Sequence, residues 1–125
     1  IMEKLGALTK ELLNELNELQ QIYENGKEPS KDKTFFQYVK KETESLYDKL
    51  DKWEKFATDL IKRGKLVLHL SQIEATKDNM TALIMHSYYK DVRKRRYMDI
   101  YKSCQFIFQQ LLKELTNERS IDSRS

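Results

Sequence analysis

Four consecutive cations, Arg93-Lys94-Arg95-Arg96, form the densest group of charged side chains in this sequence of 125 residues. Tyrosines lie on both sides of this run. Cationic side chains neutralise phosphates and carboxylates, and aromatic rings stack on unpaired bases. The pattern therefore predicts a contact surface for an anionic partner, which is either an acidic protein or a nucleic acid. The candidate contact residues are Tyr89, Lys90, Arg93, Lys94, Arg95 and Arg96.

Other residue types that support catalysis are few, and their spacing is unfavourable. Di-iron carboxylate bundles use Glu-x-x-His, but the residue three places before both His69 and His86 is a leucine. Cys104 falls within an apolar helical stripe, where a thiol packs as a small hydrophobic group. The three glycines are not clustered, so no phosphate-binding loop is present. The sequence predicts no catalytic residue, no metal site and no cofactor, and hence a protein that is not an enzyme.

Composition restricts the class of protein further. The single cysteine cannot close an internal disulfide, and no apolar run approaches the roughly 18 residues of a membrane span. We therefore expect a cytoplasmic protein with no membrane contact. Residues 1–60 carry 10 basic and 13 acidic groups, whereas residues 61–125 carry 13 and 7. The formal net charge of +3 is small for a nucleic-acid binder, which makes nucleic acid the weaker alternative.

Apolar residues at spacings of three and four predict four helices. The first spans Met2 to Glu24 and ends before Asn25-Gly26 and Pro29. The second spans about Lys33 to Arg63, with a bend possible between Lys40 and Tyr47. Its core-facing seam is predicted to contain Phe36, Val39, Thr43, Leu46, Leu50, Trp53, Ala57 and Leu60.

The third helix is predicted to start at a capping box formed by Ser71 and Glu74. No glycine or proline separates it from the fourth helix, so one continuous helix of about 46 residues is an alternative on local grounds. Such a helix would be about 69 Å long, far longer than its neighbours. The apolar stripe also lapses between Tyr89 and Tyr97. We therefore predict a turn near Lys90 to Lys94.

The predicted fold is all-α, an up-and-down antiparallel four-helix bundle with a left-handed, coiled-coil-like core seam. Residues 1–118 form the single domain, and residues 119–125 are a frayed C-terminal tail. The bulkiest core residues are predicted to be Trp53, Phe36, Ile107 and Phe108. Phe35, Phe56, Ile61 and Leu66 lie off the main seam. An exposed patch formed by these four residues would favour a homodimer, and the sequence leaves both a monomer and a homodimer open.

Several short stretches resemble the YppE-like family of small cytoplasmic proteins from Gram-positive bacteria. The specific part runs from residue 72 to 100: Gln72-Ile73-Glu74-Ala75, Lys77-Asp78-Asn79, Ser87-Tyr88, Lys94-Arg95-Arg96-Tyr97 and Asp99-Ile100. Trp53, Leu60-Ile61-Lys62 and Phe35-Phe36 also match. The family pattern has a proline near Lys41, which this sequence lacks. The resemblance implies a four-helix bundle and a turn between the third and fourth helices. It implies no activity and no site residue, because the family has no known function.

Two functions remain for the basic cluster. The leading hypothesis is a non-enzymatic module that contacts another protein, with the cluster as the surface for an acidic partner. The alternative is a weak binder of nucleic acid or another polyanion through the same turn. A purely structural role is also available, since Arg93 and Lys94 would complement the dipole at the end of the third helix, and Arg95 would pair with Asp99.

Overall fold

Four α-helices account for nearly all of the backbone in the computed structural model, which describes residues 2–124 and, of these, the side chains of residues 2–117. The helices are α1 (Met2–Asn25), α2 (Lys33–Lys62), α3 (Leu70–Tyr89) and α4 (Lys94–Arg124). No strand occurs in this part of the chain. The predicted all-α class is confirmed.

The helices form an up-and-down bundle because short connections join each one to the next. Helices α1 and α3 each pack against the other three, whereas the backbones of α2 and α4 do not approach each other in the described region. The cross-section therefore has a short diagonal between α1 and α3 and a long one between α2 and α4. Trp53 of α2 and Phe108 of α4 meet edge to face across the long diagonal, with ring centroids 5.1 Å apart.

Helix α2 is continuous from Lys33 to Lys62. Asp32 caps its start, since Oδ1 accepts a hydrogen bond of 2.8 Å from the Phe35 N–H. Its end closes as a Schellman motif. Gly64 lies in the left-handed region at φ 71°, and the Lys65 N–H donates to the Leu60 carbonyl over 2.9 Å.

Two core predictions in α2 and α4 are wrong. Phe36 is 55% exposed, and the neighbouring Phe35 is buried in its place. Phe35 packs against the rings of Tyr38 and Tyr89, so the first turn of α2 presents Phe35 rather than Phe36 to the interior. Ile107 only borders the core, whereas Trp53 and Phe108 are fully buried as predicted.

The start of α3 also differs from its prediction. The helix begins at Leu70 with His69 as N-cap, two residues before the predicted box of Ser71 and Glu74. The Gln72 carboxamide oxygen accepts the His69 N–H over 2.8 Å. Leu68 is buried just before this turn, and Glu114 of α4 accepts its N–H over 3.3 Å. The buried leucine therefore fixes where the helix starts.

Four threonine and serine side chains are buried among residues 2–117, and each is satisfied locally. Every one of them donates to the carbonyl four residues earlier, at 2.7 or 2.8 Å; they are Thr9, Thr43, Thr76 and Ser87. This bond lets a hydroxyl occupy the interior of a helical bundle without an unpaired donor.

Helix α4 extends to Arg124, beyond the domain boundary predicted at residue 118. The side chains of residues 118–125 lie outside the described residues. The predicted fraying of residues 119–125 therefore stays a prediction.

Candidate functional site: the basic end of the bundle

The predicted turn between the third and fourth helices is confirmed and lies at one end of the bundle. Helix α3 ends at Tyr89, and Lys90 adopts a left-handed conformation with φ 53° and ψ 37°. Its N–H donates to the His86 carbonyl over 2.8 Å. A left-handed residue reverses the chain within a few residues, so α4 begins at Lys94.

Helix α1 and Gly26, the residue that follows it, hold this turn in place through three contacts. The Tyr23 hydroxyl donates to the Val92 carbonyl over 2.6 Å, and Lys90 Nζ donates to the Gly26 carbonyl over 2.8 Å. Lys94 Nζ lies 3.2 Å from Glu24 Oε1. The Lys94 hydrogen bond, followed by one from Gln20, lowers the pKa of Glu24. Two of the six candidate residues, Lys90 and Lys94, are therefore engaged inside the chain.

The tyrosines around the cluster belong mostly to the core. Tyr97 is fully buried, and its ring stacks on that of Tyr23 with centroids 4.0 Å apart. The Tyr97 and Ser87 oxygens are 2.6 Å apart. Tyr88 and Tyr101 are also buried, and half-buried Tyr89 packs edge-on against Phe35. Rings held in this way are not available to stack on unpaired bases, which removes half of the predicted nucleic-acid surface.

Three guanidinium groups at this end, those of Arg93, Arg95 and Arg96, are exposed. Within the described residues none of them forms an ion pair, so the predicted Arg95–Asp99 pair is absent. Lys94, Arg95 and Arg96 lie in the first turn of α4, which contains no acidic residue.

The position of the cations corrects their predicted structural role. One role available from the sequence placed Arg93 and Lys94 at the end of α3, where positive charge is favourable. Three of the four cations instead begin α4, where the helix dipole is positive and disfavours them. The dipole of α4 is therefore unfavourable for this cluster, and within the described residues no internal ion pair of the three arginines offsets this.

A second basic group, containing Lys62 and Arg63, lies at the other end of the bundle. Arg63 Nε is 3.2 Å from Asp59 Oδ2, so this charge is partly neutralised. The length of α3, 20 residues, separates the two groups by about 30 Å. The two groups therefore do not form one short binding footprint.

The residues that might have supported catalysis do not converge. His86 Nδ1 lies 2.7 Å from Asp91 Oδ1, and His69 caps α3 at the opposite end of that helix. Cys104 is fully buried, and burial raises the pKa of its thiol to about 12, so it is a poor nucleophile. Among the described residues no three His, Cys, Asp or Glu side chains are grouped as metal ligands. None of the described helices combines the length and apolar composition that a membrane crossing requires.

The contacts from α1 were not predicted from the sequence, because Tyr23 and Val92 are 69 residues apart. In the sequence, Tyr23 continues the apolar stripe of α1, and its spacing is that of an ordinary core residue. The one available signal is its phenol, since a tyrosine at the end of a buried stripe needs a polar partner.

Removing the Tyr23 hydroxyl tests how firmly α1 holds the turn. We expect Tyr23→Phe to lower the free energy of unfolding by about 1 kcal/mol, since it deletes a hydrogen bond of 2.6 Å to a backbone carbonyl. Urea denaturation followed by circular dichroism measures the change. Tyr38→Phe is the matched control, because the Tyr38 hydroxyl has no hydrogen-bond partner in the described region. Equal stability losses in the two variants would contradict the role assigned to Tyr23.

The architecture and the site together define a class: a small four-helix bundle whose distinctive surface is a basic end, with no catalytic constellation among the described residues. The chain belongs to the bacterial domain of unknown function DUF1798, whose family model matches residues 9–115. It is also 28% identical over 121 residues to the uncharacterised protein YppE of Bacillus subtilis strain 168. That match covers 96% of this chain and 98% of the relative. The resemblance predicted from the sequence is confirmed.

Solved structures match the fold over nearly the whole chain. The crystal structure of yppE from Bacillus subtilis gives a TM-score of 0.80 at 25% identity, covering 96% of this chain and 98% of that one. Its solution structure gives 0.76 at 29% identity, with 91% and 94% covered. A Listeria innocua protein of unknown function gives 0.82 at 16% identity, with 95% and 96% covered, a likeness of fold alone.

Proposed function

We propose that this chain is a non-enzymatic, cytoplasmic protein-interaction module whose basic end binds an acidic segment of a partner protein. The observation that carries the proposal is the set of three exposed guanidinium groups at the start of α4, those of Arg93, Arg95 and Arg96. They have no internal ion pair and lie where the helix dipole opposes them. A carboxylate placed among them would relieve this repulsion and accept charge-assisted hydrogen bonds.

An acidic protein suits this surface better than a nucleic acid. Stacking on bases needs exposed aromatic faces, but Tyr97 and Tyr101 are buried and Tyr89 packs against Phe35. The charged footprint is also short, since the second basic group lies at the opposite end of the bundle. A duplex that contacts only a few phosphates is held weakly. The proposal therefore commits to carboxylates, and nucleic-acid binding becomes an outcome of the test.

Fluorescence anisotropy with a labelled acidic peptide of alternating Glu and Ser, at about 50 mM salt, tests the surface. We expect the variant with Arg93, Arg95 and Arg96 changed to serine to bind at least about tenfold more weakly, because three charge-assisted contacts are lost. Lys94 is kept so that its contact with Glu24 remains. Equal affinity of variant and wild type would overturn the proposal.

A matched control removes the same net charge elsewhere. Lys10, Lys41 and Lys52 are exposed and form no ion pair in the described region. Changing all three to serine is expected to weaken binding less than twofold, because distant charges are screened. A labelled oligonucleotide that bound more tightly than the acidic peptide, with the same dependence on the arginines, would replace the proposal by polyanion binding.

A further inference from the structure

An apolar groove runs along the outside of the bundle between the first half of α2 and the second half of α3. Its volume is about 410 Å³, and its apolar wall consists of Val39, Thr43, Tyr47, Met85 and Tyr89. Phe36 stands at one end with 55% of its surface exposed. An exposed aromatic ring beside an unfilled apolar groove is typical of a surface that meets another protein.

Charged side chains line the rim of the groove in a regular order. Phe36, Lys40, Glu44 and Asp48 follow each other at spacings of four, so they form one row along α2. None of the three charged members of this row forms an ion pair in the described part of the chain. Along α2 the row therefore consists of one aromatic, one positive and two negative side chains in that order. None of its charges is neutralised by an ion pair in the described residues.

We propose that this groove is the interface of a symmetric homodimer. In a two-fold dimer both copies use the same patch, and the two α2 helices run antiparallel across the axis. If the axis passes near residue 42, Lys40 lies opposite Glu44 of the second copy, and the reverse contact is made as well. The same register places Phe36 opposite residue 48 of the second copy, next to the groove wall at Tyr47 and Met85.

The self-complementary order of the row is what identifies a second copy as the occupant. The exposed ring of Phe36 and the groove wall at Tyr47 lie on one face, on opposite sides of the proposed axis. The positive and the first negative charge lie at equal distances from that axis. A different protein would not require this symmetry. The inference goes beyond the proposed function, since the groove and the arginines of the α3–α4 turn share no residue.

The patch predicted from the sequence for self-association is a different one. Phe35 is buried, and Phe56, Ile61 and Leu66 pack against the core. The exposed aromatic that remains in this region is Phe36. Because the groove is small, we expect a weak dimer with a Kd of about 10–100 µM.

Sedimentation equilibrium between about 10 µM and 1 mM protein tests for the dimer. The mean mass is expected to rise from the 15.0 kDa of one chain toward twice that value. Phe36→Ser is expected to weaken the dimer at least about tenfold, since it removes the aromatic anchor that each copy inserts at the groove of the other. Phe106→Ser is the matched control, because Phe106 is 63% exposed on α4, away from the groove. A constant mass of one chain throughout would overturn the proposal.

Charge reversal tests the register itself. Lys40→Glu and Glu44→Lys each place like charges opposite one another, and each is expected to weaken self-association about tenfold. Mixing the two variants should restore the affinity that each loses alone, and the double variant should dimerise as the wild type does. These side chains are exposed, so the fold remains intact. A dimer unaffected by both reversals and by Phe36→Ser would place the interface elsewhere and overturn the proposal.

Discussion

Replacing Trp53 with alanine is expected to lower the free energy of unfolding by about 3–5 kcal/mol. The indole is fully buried on the long diagonal of the bundle, where the backbones of α2 and α4 stand apart. It fills that space together with Phe108 and donates from Nε1 to Thr9 Oγ1 over 3.1 Å. Because the helices are held by other contacts, they cannot close fully around the cavity. Urea denaturation followed by circular dichroism measures the loss.

Two variants separate packing from hydrogen bonding at this position. Trp53→Phe keeps most of the ring and loses the indole N–H. Thr9 Oγ1 still donates to the Leu5 carbonyl over 2.7 Å, so we expect a loss of about 1–2 kcal/mol. Phe36→Ala, at the exposed ring of the same helix, is expected to change stability by less than about 0.5 kcal/mol. A loss below about 1 kcal/mol in Trp53→Ala would contradict the packing described across the long diagonal.

The fold follows from the spacing of apolar residues. The predictions fail where this spacing does not distinguish between two neighbouring residues. Every predicted seam position of α2 from Val39 to Leu60 is buried. At the helix start, Phe35 and Phe36 both lie near the apolar stripe, and a period of 3.6 residues does not choose between them. Phe35 is the buried residue of the two because its ring packs against those of Tyr38 and Tyr89. Such neighbours are visible only once the helices are packed.

The residues of the candidate site were predicted from the sequence, but their three-dimensional arrangement was not. A run of four cations is evident in the sequence, but its electrostatic meaning depends on which helix contains it. If α3 continued past Tyr89 into this run, the cations would lie at the favourable end of α3 instead of the unfavourable start of α4. The contacts of Lys90 with Gly26 and of Lys94 with Glu24 join residues more than 60 positions apart. No local pattern indicates them.

Raising the pH above about 9 is expected to destabilise the fold steeply, and this is the second large effect. Burial raises the pKa of Cys104 to about 12 from an ordinary value of 9.0. Burial also raises the pKa of Tyr88 and of Tyr97 to about 12 from 10.0, and for Tyr97 it outweighs the bond to Ser87, which acts in the opposite direction.

The sign follows from which state loses its protons first. The unfolded chain releases these protons at the ordinary pKa values, whereas the folded chain keeps them until about pH 12. Their contribution to stability is therefore complete below pH 9 and is lost as the pH rises toward 12. Each group lowers the free energy of unfolding by about 1.4 kcal/mol per pH unit in its window. With all three active above pH 10, the slope approaches about 4 kcal/mol per pH unit.

Urea denaturation at intervals from pH 8 to pH 11 measures this slope. Two variants show which groups cause it. Cys104→Ala is expected to move the onset of the loss from about pH 9 to about pH 10, because only the phenols then remain. Tyr97→Phe should leave the onset near pH 9 and reduce the slope above pH 10 by at most about one third, since it removes one of the three most strongly shifted groups while burial also raises the pKa of Tyr47 and Tyr101. Tyrosinate absorbance provides an independent readout, because Tyr88 and Tyr97 should ionise together with unfolding and not before it. A flat stability profile up to pH 11 would show that these groups reach solvent in the native state and would contradict their burial in the core.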